Sequence, residues 1–291
     1  MVQQSAPDAR RKDNVTKPQL NPDGVSVKGC SIIYAPAGQA GEYAALACNP
    51  YRGCGHKCLY CYVPNVLRMP RPEFDAGAIP RADFLWHLEK DARKYQSLSV
   101  KDQVMLSFTT DPYHPGDHSL TRDVIQTLQD YGMGICTLTK GGRRALRDID
   151  LFRPGRDAFA STLTSIDEGF SLKWERGAAL PKDRIDTLHA FHDAGIFTWV
   201  SLEPVLDTAA ALEIIRQTHT FVDLYKVGRV NYVGLTKTTD WKQFTTDVLQ
   251  VLGDLGARHY IKKDLQPFLP EGYSNPLRVN QFKPEPFEIL P

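Results

Sequence analysis

Short apolar runs alternate with longer stretches in which apolar residues recur at helical spacing, and this alternation fills the chain between residues 43 and 255. Runs rich in β-branched and aromatic residues suit buried strands, whereas recurrence every three or four positions suits helices with one buried face. The first kind predicts strands over Tyr43–Cys48, Gln103–Thr109, Met133–Thr139, Asp157–Thr164, Ile196–Leu202 and Val222–Val227. The second predicts helices around Arg81–Tyr95, Leu120–Tyr131, Arg144–Phe152, Lys182–Ala194 and Ala209–Thr218. In Lys182–Ala194, Ile185, Leu188 and Phe191 share a face, Pro181 starts the helix and Gly195 stops it. Asp240 caps a last helix, whose Phe244, Val248, Leu252 and Leu255 line up before Gly256. Strand followed by helix, about six times over, is the pattern of an α/β fold with a parallel sheet. We read it as a partial (β/α)6 TIM-like barrel with N- and C-terminal extensions, in preference to a flat doubly wound sheet.

The ends of the chain differ from its middle. Met1–Asn21 is polar, and Pro267–Pro291 carries six prolines among aromatics, so neither is expected to form regular structure. This divides the 291 residues into an N-terminal extension over 1–42, a barrel over 43–232, and a C-terminal helix with a proline-rich tail over 233–291. A formal charge of +1 exerts no global pull on polyanions, so any such site has to be a local patch. No apolar run approaches the length of a membrane span, and Met1–Lys28 lacks the charged start and apolar stretch of a secretion signal. We therefore expect a cytoplasmic protein without membrane contact.

Polar residues begin where the predicted strands stop. Thr109, Thr110 and Asp111 follow the second strand, Lys140 the third, Thr162 and Thr164 close the fourth, Glu203 follows the fifth, and Arg229 and Asn231 the sixth. Strand ends of a βα fold share one rim, where catalytic groups from different strands collect. Each of these residues alone reads as an ordinary loop residue. Their common placement reads as a site.

The loop after the first strand carries the most specific chemistry. Cys54, Cys58 and Cys61 stand in CGHKCLYC, a C-x3-C-x2-C spacing. Three thiolates on one loop are one too few to close a four-iron, four-sulfur (4Fe-4S) cluster, which leaves one iron open to another ligand. The alternative is a zinc site completed by His56 or Cys48, in a module without catalysis; against it, no second cysteine pair follows. Disulfides are the least favoured reading in a reducing compartment.

These residues resemble the radical SAM superfamily. The stretch NPYRGCGHKCLYCYVP, with SFTTDPYHP, TLTKGGRRALRDIDL, WVSLEPV and YKVGRVNY, is similar to its spore photoproduct lyase-like branch over most of residues 43–232. The resemblance implies an enzyme that reductively cleaves S-adenosylmethionine (SAM) at a 4Fe-4S cluster to make a 5′-deoxyadenosyl radical, with a reductant such as flavodoxin or ferredoxin. It places Tyr60 near the adenine, gives the residues aligned with Thr110, Lys140 and Ser161 the amino-acid and ribose parts of SAM, and matches Tyr60 and Tyr62 to tyrosines that relay hydrogen. Glu203 or Asp111 would shape or protonate the substrate. One departure stands out: Phe108 occupies the position where the photoproduct lyases keep a hydrogen-donating cysteine, which argues against direct photoproduct repair. Cys136 shares side-chain parity with Lys140 and would face the barrel interior, where a packed core thiol is the plainer role. For substrates, a nucleic-acid base or nucleotide is one expectation, with Lys140, Arg143, Arg144 and Arg147 as a basic patch, although a solvated helix face balanced by Asp148 and Asp150 is the plainer reading of those residues. A protein, peptide or small metabolite is the other.

Overall fold

The computed structural model describes residues 17–100, 102–231 and 238–275. Seven parallel strands follow one another across a single sheet in chain order: Leu46–Cys48, Gln103–Leu106, Gly134–Thr139, Ala158–Thr162, Phe197–Val205, Leu224–Arg229 and His259–Ile261. The sheet curls into a half-barrel, as the alternation predicts. Its two faces follow from side-chain alternation along each strand. Cys136, Ala158, Ala160, Trp199 and Leu224 point inward and pack with Tyr43 and Met105. Ile135, Phe159, Val200, Tyr225 and Val227 point outward into the larger core under the helices.

Those helices are Phe84–Ser97, Ser119–Asp130, Pro181–Asp193, Thr208–Thr218 and Trp241–Asp254. Asp240 caps the last as expected, accepting the Gln243 N–H at 3.0 Å, and Asp207 caps the fourth through the Ala210 N–H at 3.1 Å. The structure departs from the sequence reading in several places, among them the first strand, which starts only at Leu46, and the sixth, which runs on to include Arg229. Gly142–Leu151 is a 3-10 segment in place of an α-helix. The second strand stops at Leu106, and the chain from Ser107 leaves the sheet to build the rim. The fifth runs on to Val205, which puts Glu203 inside it. A seventh strand, His259–Ile261, adds to the expected six and brings Lys262 to the mouth.

One local feature positions the cysteine loop. An antiparallel pair, Tyr51–Arg52 with Ile79–Pro80, leads the chain to Gly53, which has φ +83°. A Cβ there would lie 2.3 Å from the Gly77 carbonyl oxygen, so only glycine allows this approach. The segment before the first strand is also tied down, since the buried Asp91 carboxylate accepts the backbone N–H groups of Ser31, Ile32 and Ile33 at 2.9, 2.8 and 3.3 Å. Residues 1–16 and 276–291 of the two expected irregular ends lie outside the described residues.

Candidate active site

A cavity of about 610 Å³ opens at the carboxyl ends of the strands. Cys54, Cys58 and Cys61 all line it. Their loop is held from both sides: the Cys54 N–H donates to the Phe74 carbonyl at 2.8 Å, the Leu59 N–H to the Trp174 carbonyl at 2.8 Å, and the Gly177 N–H to the His56 carbonyl at 2.8 Å. Arg71 reaches over it, donating to the Cys58 and Cys61 carbonyls. Burial pushes the Cys54 thiol up to about 12 and raises Cys58 and Cys61. Such thiols keep their protons until a cation takes them as thiolates.

Beneath the loop lies a buried charge network that the sequence did not disclose. Tyr60 donates to Glu175, whose other oxygen sits 2.6 Å from the Arg184 guanidinium. Arg184 also donates to the carbonyls of Ala179 at 2.7 Å and Thr162 at 3.0 Å, which ties this network to the end of the fourth strand. Burial opposes the charge on Glu175, but Arg184 and Lys140 outweigh it and hold the carboxyl below its usual range. Burial likewise opposes the charge on Lys140, and the neighbouring Cys58 and Glu175 outweigh it, so its ammonium is held above the usual range. Its Nζ lies 5.6 Å from the centre of the Tyr60 ring. Asp111 locks the rim, accepting from the Thr139 hydroxyl at 2.5 Å and the Lys140 N–H at 2.7 Å, with His56 at 3.3 Å. These donors outweigh burial and hold Asp111 well below the carboxylate range.

Glu203 stands on another wall of the cavity, where it accepts from both Tyr43 and Lys262. The Tyr43 hydroxyl also meets that of Ser201 at 2.8 Å. Behind it, Lys226 donates to the Glu42 and Tyr43 carbonyls at 2.9 and 2.8 Å. The pair Glu203–Lys262 closes over Gly228, where a Cβ would come within 2.9 Å of both side chains. Glu203 was legible in the sequence as a strand-end carboxylate. Tyr43 and Lys262 were not, because each is a lone residue brought in from a flank of the barrel.

The sequence model described as the Radical SAM superfamily matches residues 48–208, more than half of the chain. The chain belongs to the radical SAM superfamily. An uncharacterised protein of Mycobacterium tuberculosis is 27% identical over 168 residues, 54% of this chain and 48% of that one. The chain thus spans about half the length of the curated relatives it matches first. An uncharacterised protein of Acidianus two-tailed virus is 22% identical over 201 residues, 66% of each chain. Among solved structures, spore photoproduct lyase with dinucleoside spore photoproduct superposes with a TM-score of 0.61 at 14% identity, over 80% of this chain and 79% of that one. SuiB of Streptococcus suis bound to S-adenosylmethionine gives 0.58 at 13%, over 79% and 53%. These likenesses establish the partial-barrel fold.

The residues present fit the cluster that radical SAM membership implies. The buried Cys58 and the half-buried Cys54 and Cys61 share one cavity wall, with the cations Lys140 and Arg71 beside them to offset thiolate charge. Among the described residues no three Cys, His, Asp or Glu side chains converge tightly enough to hold a single metal ion.

Tyr60, Tyr62, Thr110, Lys140 and Glu203 all line the radical SAM cavity with the cysteines. Ser161 does not: it has the outward parity of Phe159, and its hydroxyl donates to the Thr139 carbonyl at 3.1 Å, while its neighbour Thr162 reaches the cavity. The Thr110 hydroxyl is turned toward the carbonyls of Gly53 at 2.9 Å and Tyr51 at 3.2 Å. Tyr62 is 42% exposed at the entrance. Cys136 faces inward as its parity predicts, but it is packed under Trp199, whose indole N–H points at its sulfur from 3.3 Å, and it does not line the cavity. Phe108 does line it, edge-on to Tyr43. The basic patch after the third strand is engaged: Arg143 with Asp183, Arg147 with Asp148, and Arg144 with His56 and the Tyr113 carbonyl. Among the described residues no helix is long and apolar enough to cross a membrane.

Proposed function

We propose that the chain is an enzyme that holds a 4Fe-4S cluster on Cys54, Cys58 and Cys61 and binds SAM across the neighbouring strand ends, with a nucleobase or nucleotide as substrate. The observation that carries this reading is that the three thiols, Lys140 and the Glu203 wall border one cavity. When bound, the cluster and SAM supply one-electron cleavage of the sulfonium and a 5′-deoxyadenosyl radical able to take hydrogen from an unactivated C–H bond. A small electron-transfer protein such as flavodoxin or ferredoxin is the reductant we assign.

The chain's own work is binding, orientation and exclusion of water. Lys140, held charged, offers a cation to the SAM carboxylate. Tyr60, fixed by Glu175, presents its ring as a wall beside that ammonium. Thr110 keeps the turn after Gly53 in place and offers its hydroxyl oxygen. Thr162, with inward parity, takes the contact expected of Ser161. Glu203 accepts from Tyr43 and Lys262 at one oxygen, so it can hold or pass a proton at the substrate's edge. The nucleobase assignment draws its support from the match to spore photoproduct lyase, which covers most of both chains, whereas the match to SuiB covers about half of SuiB. With Phe108 in place of a donor cysteine, thymine-dimer repair is not the reaction we assign.

Anaerobic reconstitution tests the core of this reading. A brown protein with iron and sulfide that releases methionine and 5′-deoxyadenosine from SAM under dithionite is expected. A colourless protein holding a single zinc overturns it.

A further inference from the structure

Lys140, Lys262 and Arg229 are the lysine and arginine side chains that line the cavity. Their electrostatic situations differ. Lys262 is neutralised by Glu203, and Lys140 stands beside Cys58 and Glu175 at the thiol side. Arg229 ends the sixth strand, far along the sheet order from the cysteine loop that follows the first. Its guanidinium lies over the Phe268 ring, 5.7 Å from the centre. Its Nε is buried without a hydrogen-bond partner among the described residues. The nearby carboxylate, Asp264, is taken up by the Arg229 backbone N–H at 3.4 Å and the Asn231 amide at 3.0 Å. A buried N–H left without an acceptor is destabilising, so a guanidinium held this way on a cavity wall is built to receive an acceptor.

We infer that Arg229 anchors an oxyanion of the substrate, a phosphate or a carboxylate, at the sixth-strand rim of the cavity. The inference rests on the radical SAM reading, which makes this cavity the place where substrate is held. Three features fit it. A guanidinium offers a planar fork of donors that matches both anions, and stacking on Phe268 fixes its plane. The Glu203–Lys262 pair cancels its own charge, which leaves Arg229 as the attractive centre on that side. Finally, the sixth-strand rim borders the same cavity as the thiols but lies near the other end of the strand order from them, so an anion held there leaves the cysteine side free for SAM.

The test measures binding to the cluster-loaded protein by calorimetry, with two pairs of probes: thymidine 5′-monophosphate against thymidine, and N-acetylglycine against N-acetylglycinamide. We expect the charged member of at least one pair to bind about tenfold or more tightly than its neutral partner, as a charge-assisted bidentate contact implies. The pair that shows the preference identifies the anion. Arg229→Gln should abolish it, Arg229→Lys should keep only part of it, and Arg216→Gln, a charge-matched control on the exposed face of the helix Thr208–Thr218, should leave it intact. Thermal unfolding checks that the variants are folded, and if Arg229→Gln is not, Arg229→Lys carries the test. No preference in the wild-type protein, or a full preference in either Arg229 variant, overturns the anchor. SAM binding is titrated separately in the wild-type protein, and its absence beside intact anion binding would count against the radical SAM reading alone.

Discussion

Cys58 is the most buried of the three loop thiols, with its carbonyl gripped by Arg71 and its sulfur near Lys140. If the three thiols are the protein ligands of the cluster, removing this one leaves two, too few to hold it. Cys58→Ala should therefore lose nearly all iron, sulfide and SAM cleavage. Cys48→Ala and Cys30→Ala should keep all three, because neither side chain borders the cavity. Iron and sulfide assays on anaerobically reconstituted variants decide it, and full iron content in Cys58→Ala would remove the ligand assignment. At this scale the sequence was most legible where several reactive residues crowd one short segment. It was least legible where a lone residue acts at a distance. Glu175 and Arg184 lie in an unremarkable polar stretch, and only folding brings them under Tyr60. Ser161 shows the reverse, since one step of strand parity moved its side chain from the cavity to the helix side.

At the level of elements, strands long enough to form an apolar run were legible, and the three-residue seventh strand was not. His259–Ile261 is too short to show a period, and it is a strand because Leu224–Arg229 offers it an edge. The segment before the first strand was read only as part of an N-terminal extension, without any reading of its packing, and in the structure Val27 and Ile33 are buried in the main core. What holds it is Asp91, from the helix Phe84–Ser97, through three backbone N–H groups. A turn of this kind leaves no apolar pattern in the sequence. Removing the carboxylate strands those donors in a buried position. Asp91→Ala should cost about 2–4 kcal/mol, given that hydrogen bonds to charged groups contribute roughly 1.5–3 kcal/mol net and unmet donors add to the loss. Urea unfolding should show a lower midpoint at nearly unchanged slope. A loss below about 0.5 kcal/mol, the usual bound for a surface substitution, would show that this carboxylate is not what fastens the segment.

Across the whole molecule, the cavity joins what the chain keeps apart. Its walls come from the loop before the first strand, through the ends of the second to sixth, to Lys262 after the seventh. The overall architecture was legible in the strand and helix alternation, because a parallel sheet in chain order adds one unit at a time beside the last. The shape of the cavity was not, since it depends on how far the sheet curls and on close approaches such as that at Gly228. A ligand that touches so many strand ends should stabilise the half-barrel as one body. For a ligand that binds only the folded state, saturation to about a hundred times Kd contributes about 2.7 kcal/mol. In a chain of this size that corresponds to a rise in Tm of roughly 4–5 °C. We expect this rise when SAM is added to the cluster-loaded protein. The same SAM concentration should give a smaller rise in Lys140→Ala, which loses the cation facing the carboxylate, and almost none in Cys58→Ala, which lacks the open iron. Differential scanning calorimetry at matched protein and SAM concentrations measures all three. An equal rise in the wild-type protein and Cys58→Ala would mean that SAM binds away from the thiols, and the placement of SAM across these strand ends would have to be abandoned.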